Sequence, residues 1–377
     1  MNFWRADAEI QASERVVQTI LSGSRRTVET PPRKCLSDGR EGPSELLQGV
    51  KVEKEASRLV PTEQIPSSLW DARRELLSLT DSLAKAYSEV IDLNGLGPLV
   101  SARQKDSSPI GGLSQQSANE HFAWAFDGSA ARAALAVLDP KADLGRTSDI
   151  FFKFTAGTTL VLVDAPCGAG AAALAFLTTV AELRSKGVLP RMPLDVKLVG
   201  GEISETSRSH AKDMFSKVAT ALDEQAIFVD CRIEEWDVLD STSTTKLVKT
   251  MISHGHGCSA RMIVVANFSG FLVGEGKQKK AEPQLNELLR YAADPGSFAI
   301  WIEPSTNKAK STGGIFSWIF GRIVSAWNKF TRPDESATAQ NPSLGSEASF
   351  RLPLNPSQSA QVRLTVMPIE LIQGSSS

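Results

Sequence analysis

Five residues that can accept a hydrogen bond from a ligand each close an apolar run in the second half of the chain. Asp164 follows 160–163, Glu202 follows 196–201, Asp230 with Cys231 follows 226–229, Asn267 follows 262–266, and Glu303 follows 298–302. Carboxylates and amides of this kind bind ammonium groups, hydroxyls and amines. The first run leads into a short turn, Asp164-Ala-Pro166-Cys167-Gly168-Ala-Gly170, and then into an alanine-rich segment at 171–180. Strand, glycine turn and helix together offer free backbone N–H groups and a helix N-terminus to an anionic ligand group. Gly168 and Gly170 remove side chains where a ligand must approach the backbone. Cys167 has no histidine near it in sequence, so it reads as a small structural residue of the turn rather than a nucleophile.

The elements that position these residues read as repeating units. Strands at 160–164, 196–201, 226–230, 262–267 and 298–303 alternate with helices at 171–186, 205–222, 244–253, 282–292 and 314–329. Apolar, β-branched strands separated by helices make a parallel sheet covered on both faces. Two last strands, at 350–354 and 362–371, are joined by too short a connection for a crossover and pair antiparallel. The expected fold is α/β: a doubly wound, mostly parallel seven-stranded sheet with an antiparallel C-terminal hairpin. It occupies residues 151–377. Residues 1–150 read as a mostly helical N-terminal extension with polar loops, its helices at 1–22, 69–93 and 117–138. His121, Phe122, Trp124 and Phe126 in the last of these either line a pocket or fill a core. Ligands of open α/β sheets bind outside the C-terminal strand ends, where the residues above fall.

Two ligand classes use such a turn. Gly168-Ala-Gly170-Ala-Ala-Ala173 fits the dinucleotide pattern G-x-G-x-x-G/A. Asp164-x-Pro166-x-Gly168-x-Gly170 resembles the acid-x-Gly-x-Gly-x-Gly loop of class I S-adenosylmethionine (AdoMet) methyltransferases, with proline at the first glycine. The acid favours the second class, because it repels a pyrophosphate and suits an ammonium group. Five βα units closed by a hairpin extend the resemblance over residues 155–373. It implies a transferase whose AdoMet contacts Asp164, Pro166, Cys167, Gly168 and Gly170. It further implies that Glu202 accepts from the ribose diol, and that Asp230 with Cys231 meets the adenine amino group, Asp237 competing for that role and Trp236 lying near. Asn267, the catalytic candidate, stands where amine-methylating members carry Asn/Asp-Pro-Pro-aromatic. The following Phe268-Ser269-Gly270 lacks both prolines, so amine methylation is weakly supported. The competing readings are a non-catalytic methyltransferase-like subunit of a larger assembly and a nicotinamide-dependent oxidoreductase.

Composition narrows the setting. A formal net charge of −2 gives no general attraction to nucleic acid. The four cysteines form no C-x-x-C pair, which argues against a disulfide framework and a zinc ribbon. His254 and His256 lack further ligands nearby and read as a solvated loop, so no metal is expected. Lys277, Lys279 and Lys280 read as a basic loop. The charged N-terminus has no apolar signal core, and no run of eighteen apolar residues occurs, so a cytoplasmic protein is expected. A protein partner could dock on the N-terminal extension or on the aromatic helix from Ile315 to Phe330. The methyl acceptor is not legible.

Overall fold

A computed structural model describes residues 58–102, 112–258, 260–272, 277–305 and 343–371. The chain divides into residues 1–55, which lie outside the described residues, and 56–377. The helices expected at 1–22 and from Ile315 to Phe330 fall outside the described residues.

The described strands are β1 (Trp70–Asp71), β2 (Leu76–Leu77), β3 (Thr159–Asp164), β4 (Leu194–Glu202), β5 (Ile227–Glu235), β6 (Arg261–Ala266), β7 (Ser297–Pro304), β8 (Leu344–Leu352) and β9 (Asn355–Leu371). They form one sheet in the order β1-β2-β8-β9-β7-β6-β3-β4-β5. Strands β3 to β7 pair parallel, and β9 runs antiparallel to both β7 and β8. The seven strands expected from the repeating pattern are thus present, with β3 in the interior between β4 and β6. This is an open, mostly parallel α/β sheet closed by an antiparallel hairpin.

The helices are α1 (Asp81–Leu93), α2 (Gly97–Ser101), α3 (Gln115–Leu138), α4 (Thr147–Phe154), α5 (Ala171–Ser185), α6 (Glu205–Asp223), α7 (Ser241–His254), α8 (Ser269–Leu272) and α9 (Lys277–Ala292). Alternation along β3 sorts its side chains to two cores. Leu160 and Leu162 join Phe122, Phe151, Leu174 and Met214 on one face, whereas Val161 and Val163 join Leu247, Met251, Leu285 and Leu288 on the other. Both faces are therefore buried, as a parallel sheet requires. Tyr87 of α1 packs against Phe122 and Phe126 of α3, with ring centroids 5.3 and 4.8 Å away. Phe122 also stacks on His210 of α6 at 4.5 Å. These aromatics fill core rather than line a pocket. Residues 81–154 share one apolar core with the sheet.

Four local expectations are corrected. The helix expected at 69–93 begins only at Asp81, capped by Thr80, whose Oγ1 accepts from Leu83 N at 3.3 Å. The preceding residues make the β1–β2 hairpin, and β2 extends the sheet against β8. Pairing overrides helical spacing here because Leu77 gains complete burial. The C-terminal hairpin is longer than its apolar residues suggest, with β8 starting at Leu344 and β9 at Asn355. Lys277, Lys279 and Lys280 belong to the first turn of α9 rather than to a loop. His254 is the buried last residue of α7, with Nε2 3.0 Å from the Asp230 carbonyl oxygen. Among the described residues no cluster could hold a metal ion, and no helix is long and apolar enough to cross a membrane.

Candidate cofactor and acceptor site

The glycine turn between β3 and α5 is stitched internally at several amides. Cys167 N donates to Gly201 O at 2.9 Å, and Gly170 N donates to Cys167 O at 2.8 Å. Gly168 N donates to Glu202 Oε2 at 3.1 Å, and Ala173 N to Asp164 Oδ2 at 3.2 Å. The amides of Ala169, Ala171 and Ala172 have no partner among the described residues. They stand at the N-terminus of a fifteen-residue helix, where partial positive charge gathers. Pro166, Gly168 and Ala169 keep part of their surface exposed, whereas Gly170 is buried.

The two glycines differ. Both have positive φ, +53° at Gly168 and +81° at Gly170. A Cβ on Gly168 would meet nothing within 4 Å, so this is the place where a ligand has room. A Cβ on Gly170 would stand 2.9 Å from Phe215 Cε2 and 3.3 Å from Leu174 Cδ1. Gly170 therefore serves helix packing rather than ligand approach.

Asp164 lies under the turn, not beside the cleft. Its side chain is buried, one oxygen caps Ala173 and the other has no hydrogen-bond partner. Burial raises its pKa to about 8, and the nearby Glu202 charge adds to the rise. The ammonium contact expected of it has no exposed oxygen to use. Cys167 is buried too, and burial together with Asp164 and Glu202 pushes its thiol well up, which fits a structural role.

Glu202 ends β4 as expected and is partly exposed. Its Oε1 accepts from Ser204 N at 2.8 Å and its Oε2 from Gly168 N, so one lone pair on each oxygen remains for hydroxyl donors. Burial pushes its carboxyl up, while these amides pull it down. Ile203 beside it is an exposed apolar residue, 38% accessible. No motif marked it.

Asp230 and Cys231 do not end their strand. β5 runs on to Glu235, and the register pairs Asp230 with Lys197 and Glu235 with Glu202. Asp230 is exposed and bonded to Lys197 Nζ at 3.1 Å, well below the sheet end where Glu202 stands. The run of alternating charges, DCRIEE, hid the strand's continuation, because an edge strand tolerates them. Glu235 and Asp237 occupy the strand end instead. Trp236 is buried, its Nε1 donating to Thr244 Oγ1 at 3.1 Å, and is core.

Asn267 follows β6 in the left-handed region, φ +56°. Its Oδ1 accepts from Arg132 Nε of α3 at 2.7 Å. The adjacent Glu303 is wholly buried and accepts from Phe268 N, Ser269 N, Ser269 Oγ and Trp301 Nε1 at 2.6–2.9 Å. It fixes α8 and has no role to spare for a substrate. Arg132 was the residue missed; a single arginine in the otherwise apolar run AARAALAVL was its signal.

No protein-family model and no curated protein matches the chain. Solved structures similar to it include the glycopeptide N-methyltransferase MtfA complexed with sinefungin, at 9% identity over 61% of this chain and 70% of that one, with a TM-score of 0.25. Another is a protein from Listeria monocytogenes assigned to the class I S-adenosylmethionine-dependent methyltransferases, at 13% identity over 59% of each chain, with a TM-score of 0.27. The match thus spans well under two thirds of the second structure's length. At such low similarity the class of the fold rests on this chain's own strand order.

Proposed function

We propose that the chain is an AdoMet-dependent methyltransferase that binds its donor between the β3–α5 turn and the end of β4. The observation that carries this reading is the set of unpaired amides at Ala169, Ala171 and Ala172 beside the accepting carboxylate of Glu202. The amides suit the carboxylate of the methionine moiety, Glu202 the ribose diol, and exposed Ile203 one face of the adenine. AdoMet, when bound, supplies a methyl group already activated as a sulfonium. The chain's own part is positioning, with water kept from the cleft floor by the buried Asp164 and Cys167. The antiparallel β9 beside β7 supports this reading over a dinucleotide, since the six-stranded dinucleotide fold has a strand order of 3-2-1-4-5-6 without such a hairpin.

One observation favours a non-catalytic subunit of a larger assembly instead: Arg132 Nε takes one of the two lone pairs of Asn267 Oδ1 and sets a cation beside the oxygen an amine would have to approach. Calorimetric titration with AdoMet, its demethylated product and NAD separates the readings. The enzyme reading expects the first two to bind and NAD not to. Absence of AdoMet binding at about millimolar concentration sinks it in favour of the scaffold.

A further inference from the structure

Strand β5 closes one side of the sheet, and β4 is its only strand neighbour among the described residues. It runs nine residues, Ile227–Glu235, in unbroken register with β4. Leu194 N donates to Ala226 O at 2.9 Å, and Trp236 N donates to Glu202 O at 3.2 Å. Successive residues of a strand turn their backbone groups to opposite sides. Even-numbered residues of β5 therefore bond β4, and odd-numbered ones turn N–H and C=O outward. The outward groups of Val229, Cys231 and Ile233 have no hydrogen-bond partner among the described residues. Natural sheets blunt such an edge with a proline, a bulge or a lysine, and β5 carries none of the three. The opposite edge of the sheet is the two-residue β1, too short for a ladder of this kind.

The edge is self-complementary when a second copy runs antiparallel to it. A two-fold axis through Cys231, the middle residue of β5, sets Cys231 against the partner's Cys231 and Val229 against the partner's Ile233. Both are hydrogen-bonded positions, which use the outward groups. Asp230 then stands against the partner's Arg232, and Arg232 against the partner's Asp230, in the closer positions between those bonds. All nine residues are paired. The smallest slide that keeps the bonds, two residues either way, opposes Asp230 to its own copy or Arg232 to its own copy, and like charges directly opposite destabilise. Both side chains are exposed. Asp230 bonds Lys197 through Oδ2, which leaves Oδ1 without a hydrogen bond, and Arg232 has no ion pair among the described residues. Apolar surface lies beside them: Phe228 of the strand is 46% accessible. Ile252 of α7, the helix whose Thr250 bonds Glu234 of β5, is 41% accessible.

We propose that the chain forms a two-fold dimer through β5, joining the sheets of two copies into one. The occupant is a second copy because charge and hydrogen-bond parity agree on one centre, and that centre is the middle of the strand. The contact is closed: once the two strands pair, neither offers that edge to a third chain. The axis turns the strand ends of the two copies in opposite directions, so each candidate donor site stays within its own copy. The inference does not rest on the methyltransferase reading.

Sedimentation velocity of the full chain over about 1–100 µM, the range of moderate to weak specific affinity, tests it. Wild type is expected as a dimer at the upper end. Arg232→Asp faces two pairs of like charges and should weaken association about ten-fold or more. Asp230→Arg should do the same, and the two substitutions together restore opposite charges and should recover the dimer. Cys231→Pro deletes the central outward N–H, which β4 does not use, and should give a monomer whose circular dichroism is unchanged. Hydrogen exchange should be slow at the amides of Val229, Cys231 and Ile233 in the dimer and fast in Arg232→Asp. A wild-type monomer throughout overturns the proposal; slow exchange at these amides in that monomer would assign the edge to another segment of the chain. A dimer that persists in both Arg232→Asp and Cys231→Pro overturns it by placing the contact elsewhere. A double variant that stays monomeric overturns the pairing of Asp230 with Arg232.

Discussion

The amide of Gly168 donates to Glu202 Oε2 at 3.1 Å, tying the turn after β3 to the end of β4. The bond sets the spacing between the loop amides and the Glu202 carboxylate, the two groups that the proposed function assigns to the polar ends of AdoMet. On that proposal Glu202 answers to two demands, loop geometry and ligand. Glu202→Gln keeps an acceptor for one amide but loses the charge. AdoMet affinity should fall about ten-fold or more, since charge-assisted hydrogen bonds contribute roughly 1.5–3 kcal/mol. Adenosine should weaken alongside it, because the ribose is common to both. Calorimetry that shows equal affinity in wild type and variant would remove Glu202 from the site.

The glycines of the turn should respond oppositely to the same substitution. Gly170→Asp places Cβ 2.9 Å from Phe215 Cε2 and should cost the fold about 1–3 kcal/mol. Gly168→Asp has open space, and aspartate tolerates the left-handed region there, so stability should change little. Its carboxylate would repel that of the ligand, and AdoMet binding should be lost. Chemical denaturation and titration of both variants test this; a Gly168→Asp protein that binds normally would show that the ligand does not use the turn.

Asp164 makes stability depend on pH. Its folded pKa is raised from 3.8 to about 8 by burial, so the folded state holds a proton that the unfolded state has released. Its contribution is therefore full below the unfolded value and is lost as pH rises toward the folded one. In that window the slope is about −1.4 kcal/mol per pH unit. Asp164→Asn removes the titration, so its stability between about pH 5 and 7 should fall less steeply than that of wild type by roughly this slope. Parallel slopes in denaturation curves would contradict the buried, protonated state.

Arg184 secures the opposite end of the sheet from the ligand. Its Nη1 donates to Met192 O, Gln225 O and Ala226 O at 2.7, 2.8 and 3.3 Å, and its Nη2 to Thr155 O at 3.4 Å. Arg184→Met leaves these carbonyls without their donor and should cost about 2 kcal/mol or more. AdoMet affinity should stay level, because the site lies at the other strand ends. A loss of binding without a loss of stability would show that the two ends are coupled.

The sequence alone determined the α/β class, the parallel units, the antiparallel last strand and the positions of Asp164, Glu202 and Asn267 at strand ends. These follow from short-range signals: apolar runs of strand length, an acid or amide at the close, glycines in the turn. The tertiary structure decided what each residue faces. Asp164 reads as a ligand acceptor by position, yet the close approach of α5 to β3 buries it beneath the turn. Gly168 and Gly170 read alike, and only Phe215, forty-five residues on from Gly170, separates their roles. Asp230 seemed a strand end because charges followed it, but an edge strand needs only one apolar face. The helix expected from residue 69 lost its first turns to a pairing with β8, more than two hundred residues away. Arg132 carried no motif at all; its meaning comes from Asn267, which lies far along the chain and meets it only because α3 packs against the face of the sheet. Local periodicity marks most of the elements, whereas long-range pairing, burial and charge depend on contacts between distant segments, which no spacing along the chain records.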